Sequence, residues 1–275
     1  MIYKYIAPSP VLQDFVRDYL VAHFIFASNE PVPLKPYAPK PEQGITFFPR
    51  GFVSIGDQCT GSIIPAPKVS IFGQQVSRYN FHLTQEYLML RVHFHPGTLY
   101  RLLGIPLFEF TDQYSDAAAV INREVEDINE RLAACKKKYV QMIQIVESYL
   151  LSKIKNPKKD SNIIDKVAAF MYAESSKFSL DCLANQASLS PRQFNRRFTE
   201  RIGVGPKLYS RIIRFYKAYQ YKEMHPDADW LTIAVLFDYS DYQHLVKDFK
   251  EFAGVSPVIW VSEDNQSPER ILRLE

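Results

Sequence analysis

Side chains that can contact nucleic-acid bases are concentrated between residues 192 and 201. They are Arg192, Gln193, Asn195, Arg196, Arg197 and Arg201, with Glu200 as the only acid in the stretch. Guanidinium and amide groups carry planar donors and acceptors that match guanine and adenine edges in the DNA major groove. The pattern indicates contact with DNA bases; the alternative is a basic face that contacts only solvent.

A second basic segment follows. Lysine or arginine occurs at five positions before the next acid, Glu223: Lys207, Arg211, Arg214, Lys217 and Lys222. Positive side chains without neighbouring acids bind phosphates whatever the base sequence. We therefore expect this segment, including Arg211, to contact the phosphate backbone beside the base-contacting residues.

The spacing of apolar residues predicts the elements that carry these groups. Phe194, Phe198 and Ile202 recur at helical spacing between a Ser190-Pro191 start and a Gly203 stop. Apolar residues from 180 to 184 predict a short helix before it, and residues 187 to 189 leave room only for a tight turn. This helix-turn-helix could be a packing motif, but its basic polar face favours DNA binding.

An internal repeat supplies a second copy of this unit. At an offset of 51 residues the pairs are Phe194 with Leu245, Phe198 with Phe249, Gly203 with Gly254, Val204 with Val255, and Pro206 with Pro257. Upstream, the same offset pairs Ser190 with Asp241 and Leu180 with Leu231. A helix from Pro206 to about Met224 is expected to join the copies and hold them in a fixed relation.

The second copy has a less basic face. Its candidate DNA contacts are Tyr242, Gln243, His244 and Lys247. Three acids, Asp241, Asp248 and Glu251, dilute the positive charge. We expect the second copy to bind DNA less strongly than the first.

Three segments carry a family resemblance: 179 to 184, 189 to 198, and 239 to 257. Through them, residues 163 to 260 resemble the DNA-binding domain of the AraC/XylS family of bacterial transcriptional regulators. The resemblance implies that two recognition helices enter successive major grooves on one face of the duplex. It assigns base-edge contacts to Arg192, Asn195, Arg196, Tyr242, Gln243 and Lys247.

The chain departs from the family pattern in both turns. Asp238 stands where the family usually has glycine in the second turn, and Ser188 lies at the corresponding place in the first. Aspartate can adopt the left-handed backbone conformation at modest cost. The departures leave the helix-turn-helix prediction in place.

The first half of the chain has a different pattern. Short apolar runs at 45 to 48, 69 to 72 and 87 to 94, separated by glycine or proline, predict a small barrel or sandwich. Helical spacing begins at Thr98, and an amphipathic run from Glu124 to Lys153 is expected to pair across a dimer or pack under the barrel. The segment from Arg91 to Pro106 resembles the end of the barrel in the cupin-like N-terminal domains of some family members.

These patterns predict an α+β protein. A β-rich, cupin-like sensing or dimerisation domain occupies 1–153, a linker 154–162, the double helix-turn-helix domain 163–262 and a tail 263–275. Barrels of this size enclose apolar cavities with a few polar groups. We expect an effector to contact Phe47, Phe72, Tyr87, Arg91 and His93.

Two histidines raise the possibility of a metal site. His93 and His95 would project from one face of a strand, as metal-binding histidines do in cupins, with Glu109 and His82 as the nearest further ligands. The glycines expected on either side of metal-binding residues in cupins are missing from this spacing. Structural or ligand-lining roles are therefore favoured for His93 and His95. We expect no cofactor and no enzymatic activity; the alternative is a metal-dependent cupin-type enzyme or metal sensor fused to a DNA-binding domain.

Composition fits a regulator in the cytoplasm. The 275 residues are 47% hydrophobic with a net charge of +3, so the basicity is local. Cys59, Cys135 and Cys182 are odd in number and far apart, as expected of reduced thiols, and no signal or membrane segment is predicted. The expected partner is double-stranded promoter DNA, with a small-molecule effector, RNA polymerase and a second copy of the chain as further candidates.

Overall fold

A computed structural model describes residues 1–57, 61–155, 157–174 and 179–274. Within these residues, the N-terminal half contains ten strands, which form two antiparallel sheets. The strands are β1 (Ile2–Ile6), β2 (Val16–Ile25), β3 (Lys35–Tyr37), β4 (Gly44–Arg50), β5 (Val53–Asp57), β6 (Ile63–Pro65), β7 (Val69–Phe72), β8 (Tyr79–Leu83), β9 (Glu86–Phe94) and β10 (Tyr114–Asp116).

The two sheets face each other across an aromatic layer. The first has the strand order β1-β2-β9-β4-β7-β10 and the second β3-β8-β5-β6. Along β9, Tyr87 and Met89 point into the layer between the sheets, while Leu88 and Leu90 point away from it. No ladder joins the sheets among the described residues, so the predicted cupin-like barrel is wrong. The two-sheet arrangement corresponds to the sandwich that the same sequence pattern allowed.

Helices cover the outer face of the first sheet. They are α1 (Thr98–Leu103), α2 (Ala117–Val120), α3 (Glu124–Ala134) and α4 (Tyr139–Ile154), with a 3₁₀ helix at Leu107–Phe110. The amphipathic run is broken near Lys136, whose φ of 54° is left-handed. Val125, Ile128 and Met142 pack with the sheet, which corresponds to the predicted packing under the β-structure.

Helices also form the C-terminal half. They are α5 (Ile163–Ala173), α6 (Leu180–Gln186), α7 (Pro191–Ile202), α8 (Pro206–Met224), α9 (Trp230–Leu236), α10 (Tyr242–Phe252), α11 (Pro257–Asp264) and α12 (Pro268–Ile271). The predicted joining helix is α8, and the segment expected to be a tail contains α12. The α+β class is confirmed, and no helix in the described part of the chain is long and apolar enough to cross a membrane.

The repeat has two offsets. The N-caps of the first helices, Ser179 and Asp229, differ by 50 residues, whereas the N-caps of the second helices, Ser190 and Asp241, differ by 51. The second turn therefore contains one extra residue, and the predicted pairing of Leu180 with Leu231 is wrong by one position. Both turns use the left-handed conformation, with φ of 54° at Ser188 and 59° at Asp238.

Candidate DNA-binding surface and interdomain cavity

The first recognition helix, α7, is fixed at both ends. The Ser190 hydroxyl accepts the Gln193 backbone N–H, and the Gln193 side chain accepts the Ser190 backbone N–H, which completes a capping box. Gly203 ends the helix with φ of 97°. This left-handed conformation favours glycine, and a Cβ there would also be close to the Leu107 carbonyl oxygen, at 3.1 Å.

The two faces of α7 differ sharply. Phe194, Phe198 and Ile202 are buried against α5, α6 and α8. Arg201 was predicted on the same polar face, but it is buried and pairs with Asp165 of α5. The other five predicted residues are all exposed: Arg192, Gln193, Asn195, Arg196 and Arg197. The Gln193 side-chain oxygen already accepts the Ser190 backbone N–H in the helix cap. The other four side chains are therefore more available for contacts with DNA. Burial of the apolar face therefore fixes the orientation of the exposed basic face.

The second recognition helix, α10, presents fewer free groups. Gln243 and Lys247 are exposed, whereas Tyr242 and His244 are partly buried. The His244 Nδ1 lies 3.1 Å from the Ser240 hydroxyl, and its ring meets Tyr239 edge-on. Ser240 belongs to the longer turn, so this insertion provides a partner for His244.

Arg211 has partners that the sequence did not reveal. Its guanidinium donates to Glu251 at 2.9 and 2.6 Å and to Asp248 at 2.7 Å. Arg214 also donates to Asp248, at 3.0 Å, and the Asp248 side chain is only 1% exposed. These ion pairs tie α10 to α8. The phosphate contact of Arg211 stays a prediction. The expectation that Asp248 lies on the exposed face of α10 is wrong, because its buried carboxylate belongs to this ion-pair cluster.

The N-terminal half contacts both helix-turn-helix units. The Thr111 hydroxyl donates to the Gly203 carbonyl at 2.9 Å, and the Tyr100 hydroxyl donates to Glu200 at 2.5 Å. At the second unit, Arg78 donates to the Ala253 carbonyl at 3.2 Å. The sheets and the recognition helices therefore form one connected structure.

A cavity of about 370 Å³ lies between the β-sheets and the helix α8. Its wall is rich in tyrosine: Tyr3, Tyr5, Tyr37, Tyr172, Tyr216 and Tyr219. Lys40 is among the lining residues, with its ammonium 4.8 Å from the centre of the Tyr37 ring and 5.9 Å from that of Tyr216. None of the five predicted effector contacts lines this cavity.

Most charges in the cavity wall are paired. Arg17 lies 2.8 Å from Asp18, Lys35 pairs with Glu269, and Arg270 pairs with Glu223. Among the described residues, the Lys40 ammonium has no hydrogen bond to an acceptor and no carboxylate within ion-pair distance. Lys40 is therefore a cation of the cavity wall without such a partner in the described part of the chain.

Comparison with known proteins matches two parts of the chain. Residues 183–262 match a family described as a helix-turn-helix domain, which includes α7 and α10. The chain carries the DNA-binding domain of the AraC family. Residues 4–116 match a domain of unknown function, DUF6597, which covers most of the two sheets. No curated protein matches the chain.

Two solved structures of one protein are similar in fold over 89% of this chain. ToxT from Vibrio cholerae is 10% identical with a TM-score of 0.51, and covers 89% of this chain and 98% of its own. ToxT bound to (E)-4-(8-methylnaphthalen-1-yl)but-3-enoic acid is 9% identical with a TM-score of 0.50 and the same coverage. A transcriptional regulator from Chromobacterium violaceum with an AraC-type DNA-binding domain is 20% identical, with a TM-score of 0.35, and covers 38% of this chain and 93% of its own.

The predicted effector contacts do not share one cavity. Phe47 lies on the helix-covered face of the first sheet. Tyr87 and Arg91 line a cleft of about 40 Å³ between the sheets. The Arg91 guanidinium lies 4.7 Å from the Phe72 ring centre, and the Phe72 ring meets His93 edge-on. Their role in effector binding stays a prediction.

The two histidines of the proposed metal site have separate partners. The His93 Nδ1 lies 2.6 Å from Asp18, and its Nε2 lies 3.3 Å from Glu42. Burial lowers the pKa of His93, although both carboxylates oppose the shift. The strand β9 ends before His95, whose Nε2 lies 3.0 Å from the Gln13 carbonyl. In the part of the chain described, no three His, Cys, Asp or Glu side chains are grouped to hold a metal ion.

The cysteines are not paired where the structure describes them. Cys135 is buried and Cys182 is exposed, and both are free thiols. Cys59 lies outside the described residues.

Proposed function

We propose that this AraC-family chain binds a specific promoter site through α7 and α10, and that a small organic anion bound beside Lys40 modulates this binding. The observation that carries the first part is the exposed basic face of α7 on a capped, buried helix. Recognition helices place such faces against base edges. The ion pairs of Arg211 and Arg214 with Asp248 support a fixed relation between α8 and α10.

Replacing Arg196 with alanine should weaken binding to the selected site by about 1–3 kcal/mol and relax preference at one base pair. Arg196 is exposed at the middle of the polar face of α7. The site would be selected from random duplexes by the full chain, and affinity measured by fluorescence anisotropy at several salt concentrations, because salt changes phosphate contacts most. Arg123→Ala, at an exposed arginine of the N-terminal half, is the matched control. Unchanged affinity and preference in Arg196→Ala would rule out this face.

The second part of the proposal rests on the interdomain cavity. Its unpaired lysine lies among tyrosine rings, so an anion with an apolar or aromatic body fits its chemistry. ToxT has been solved with a naphthalenyl butenoic acid, a molecule of this class. Because the cavity touches both the sheets and α8, an occupant would change how the two halves pack.

Replacing Lys40 with methionine should weaken binding of such an acid at least about tenfold, since a hydrogen bond to a charged group contributes about 1.5–3 kcal/mol. The probe is (E)-4-(8-methylnaphthalen-1-yl)but-3-enoic acid, with affinity measured by isothermal titration calorimetry and its effect on DNA binding measured in parallel. Lys4→Met, at an exposed lysine on β1, is the control. Equal affinities in the two variants would exclude Lys40 as the anion contact.

A further inference from the structure

We propose that the N-terminal half holds the two helix-turn-helix units at a fixed angle, with Arg78 and Thr111 as positioning residues, and thereby makes the chain selective for one spacing between its two DNA contact sequences. This role rests on the proposed DNA binding through α7 and α10. Its centre is the bridging segment, residues 73–78, which connects β7 of the first sheet to β8 of the second. The bridging segment is therefore anchored in the β-structure at both ends.

Both helix-turn-helix units pack on α8. The core of the first unit includes Tyr209 and Ile213 of this helix, and the core of the second includes Ile212 and Phe215. Long helices curve along their length, so packing on one helix does not by itself fix the angle between two units. A further element that contacts both units would fix it.

The N-terminal half contacts the two recognition helices at equivalent points of the repeat. The Gln43 side chain donates to the Ile202 carbonyl at 3.4 Å, and Arg78 donates to the Ala253 carbonyl at 3.2 Å. Ile202 and Ala253 are 51 residues apart, which is the offset between the second helices of the two units. Carbonyls at the end of a helix lack partners within the helix, so these donors satisfy them and hold both helix ends.

Arg78 is built into the second unit. Its side chain is only 5% exposed and also pairs with Glu263 of α11 at 2.5 Å. The guanidinium lies 5.3 Å from the centre of the Trp260 ring. A cation at the C-terminal end of a helix interacts favourably with the helix dipole. Arg78 therefore holds α10 and α11 together against the sheets.

The contacts with the two units are connected to each other. The Asp112 carboxylate accepts the backbone N–H groups of Val76 and Ser77 at 3.0 and 3.2 Å, and the Ser77 hydroxyl at 2.6 Å. The preceding residue, Thr111, donates its hydroxyl to the Gly203 carbonyl of the first unit at 2.9 Å. Val76 packs against the apolar cores of both units. A shift of one unit would therefore strain the contacts of the other.

The bridging segment also contacts the wall of the interdomain cavity. The buried Gln74 side chain donates to the Lys40 carbonyl at 2.8 Å, and the buried Gln75 side chain donates to the Tyr37 carbonyl at 2.9 Å. Lys40 and Tyr37 both line the cavity. An occupant beside Lys40 would therefore act on the segment that positions both recognition helices.

The test uses DNA duplexes that carry the site selected by the wild-type full chain, either unchanged or with one base pair added between the two contact sequences. One added base pair moves the second sequence about 3.4 Å along the duplex and about 35° around it. Affinities are measured by fluorescence anisotropy. We expect the addition to weaken binding about tenfold in the wild type but only about threefold in Arg78→Met, because a less constrained second unit can follow the shifted sequence.

Arg50→Met is the matched control. Arg50 donates to the Ala133 carbonyl at the end of α3 at 3.2 Å and pairs with Glu86 at 2.9 Å, so it has the same chemistry away from the helix-turn-helix units. This variant should keep the wild-type penalty for the added base pair. Thr111→Val removes the hydroxyl at the first unit and keeps its size. It should also reduce the penalty, and it replaces Arg78→Met if that variant does not fold.

Equal penalties in the wild type, Arg78→Met and Thr111→Val would overturn the proposal, because α8 alone would then set the spacing. A loss of affinity that is the same for both duplexes would show a purely structural role and would also overturn it. If the wild type binds no site specifically, the proposed function fails and the role in spacing fails with it.

A measurement without DNA separates these failures. Spin labels at the exposed Cys182 on α6 and at Lys250→Cys on α10, with Cys59→Ser and with Cys135 buried, report the distance between the units by double electron–electron resonance. We expect a broader distance distribution in Arg78→Met than in Arg50→Met. An unchanged distribution together with intact DNA binding would overturn the positioning role alone.

Discussion

Replacing Arg201 with methionine is expected to lower the free energy of unfolding by about 3–5 kcal/mol, the usual cost of removing one partner of a buried ion pair. Arg201 and Asp165 form a two-pronged pair, with both nitrogen to oxygen distances at 2.6 Å. Their side chains are only 9% and 11% exposed. The Asp165 carboxylate would stay buried with no cation beside it, which is why the loss is large. Urea unfolding at neutral pH gives the measurement.

The same pair joins three elements, so its loss should also loosen the docking of α7. The Arg201 guanidinium stacks 4.6 Å from the Tyr100 ring centre, and a Cβ at Gly97 would lie 2.0 Å from the Asp165 carboxylate. The control is the double variant Asp165→Asn with Arg201→Met, which removes both charges and should recover part of the lost stability. A loss below about 1 kcal/mol in the single variant would be typical of an exposed pair and would contradict the buried-pair assignment.

Replacing Glu42 with glutamine should lower the free energy of unfolding at pH 7 by about 3 kcal/mol. This is the free energy that corresponds to the lower pKa of Glu42 in the folded protein than in the unfolded chain, a difference of about two and a half pH units. Burial alone raises the pKa of Glu42, but His93, Lys40, Arg91 and Arg17 outweigh it and lower the pKa from 4.5 to about 2. A lowered folded-state pKa stabilises the protein above the unfolded value of 4.5. This contribution is lost as the pH falls from about 5 to about 2.

The pH series separates this effect from simple loss of a side chain. Unfolding free energies of the wild type and Glu42→Gln, measured from pH 7 to pH 3, should converge as the pH falls. Glu86→Gln, at a carboxylate that is half exposed, is the control and should show little difference at any pH. A constant gap between wild type and Glu42→Gln down to pH 3 would show that the charge of Glu42 is not the source of the stability.

The C-terminal helices were predictable because their signals are local. The Ser190-Pro191 start, the Gly203 stop and the apolar spacing of Phe194 and Phe198 each act within a few residues. The extra residue in the second turn was missed, because the match at an offset of 51 is strong only from Ser190 onward. An extra residue inside a turn does not change the spacing of apolar residues within the helices on either side.

The interdomain cavity and the charge pairs could not be predicted in this way. Lys40 lies between two short strands, and Tyr216 lies on α8, so their approach depends on how separate parts of the chain fold together. Asp248 carries the same charge whether it is free or paired, and only the fold brings Arg211 and Arg214 to it. The sequence also does not show which face of β4 the helices cover, and Phe47 lies on that face.

The length of α8 bears on the shape of the promoter site itself. The helix has 19 residues and is therefore about 28 Å long, close to the distance of about 34 Å between successive major grooves. A straight helix that joins two fixed units leaves them little freedom to adjust to DNA. A site would then need both of its contact sequences on the same side of the duplex at nearly one spacing. Five additional base pairs would turn the second sequence about half a helical turn away, beyond the reach of α10.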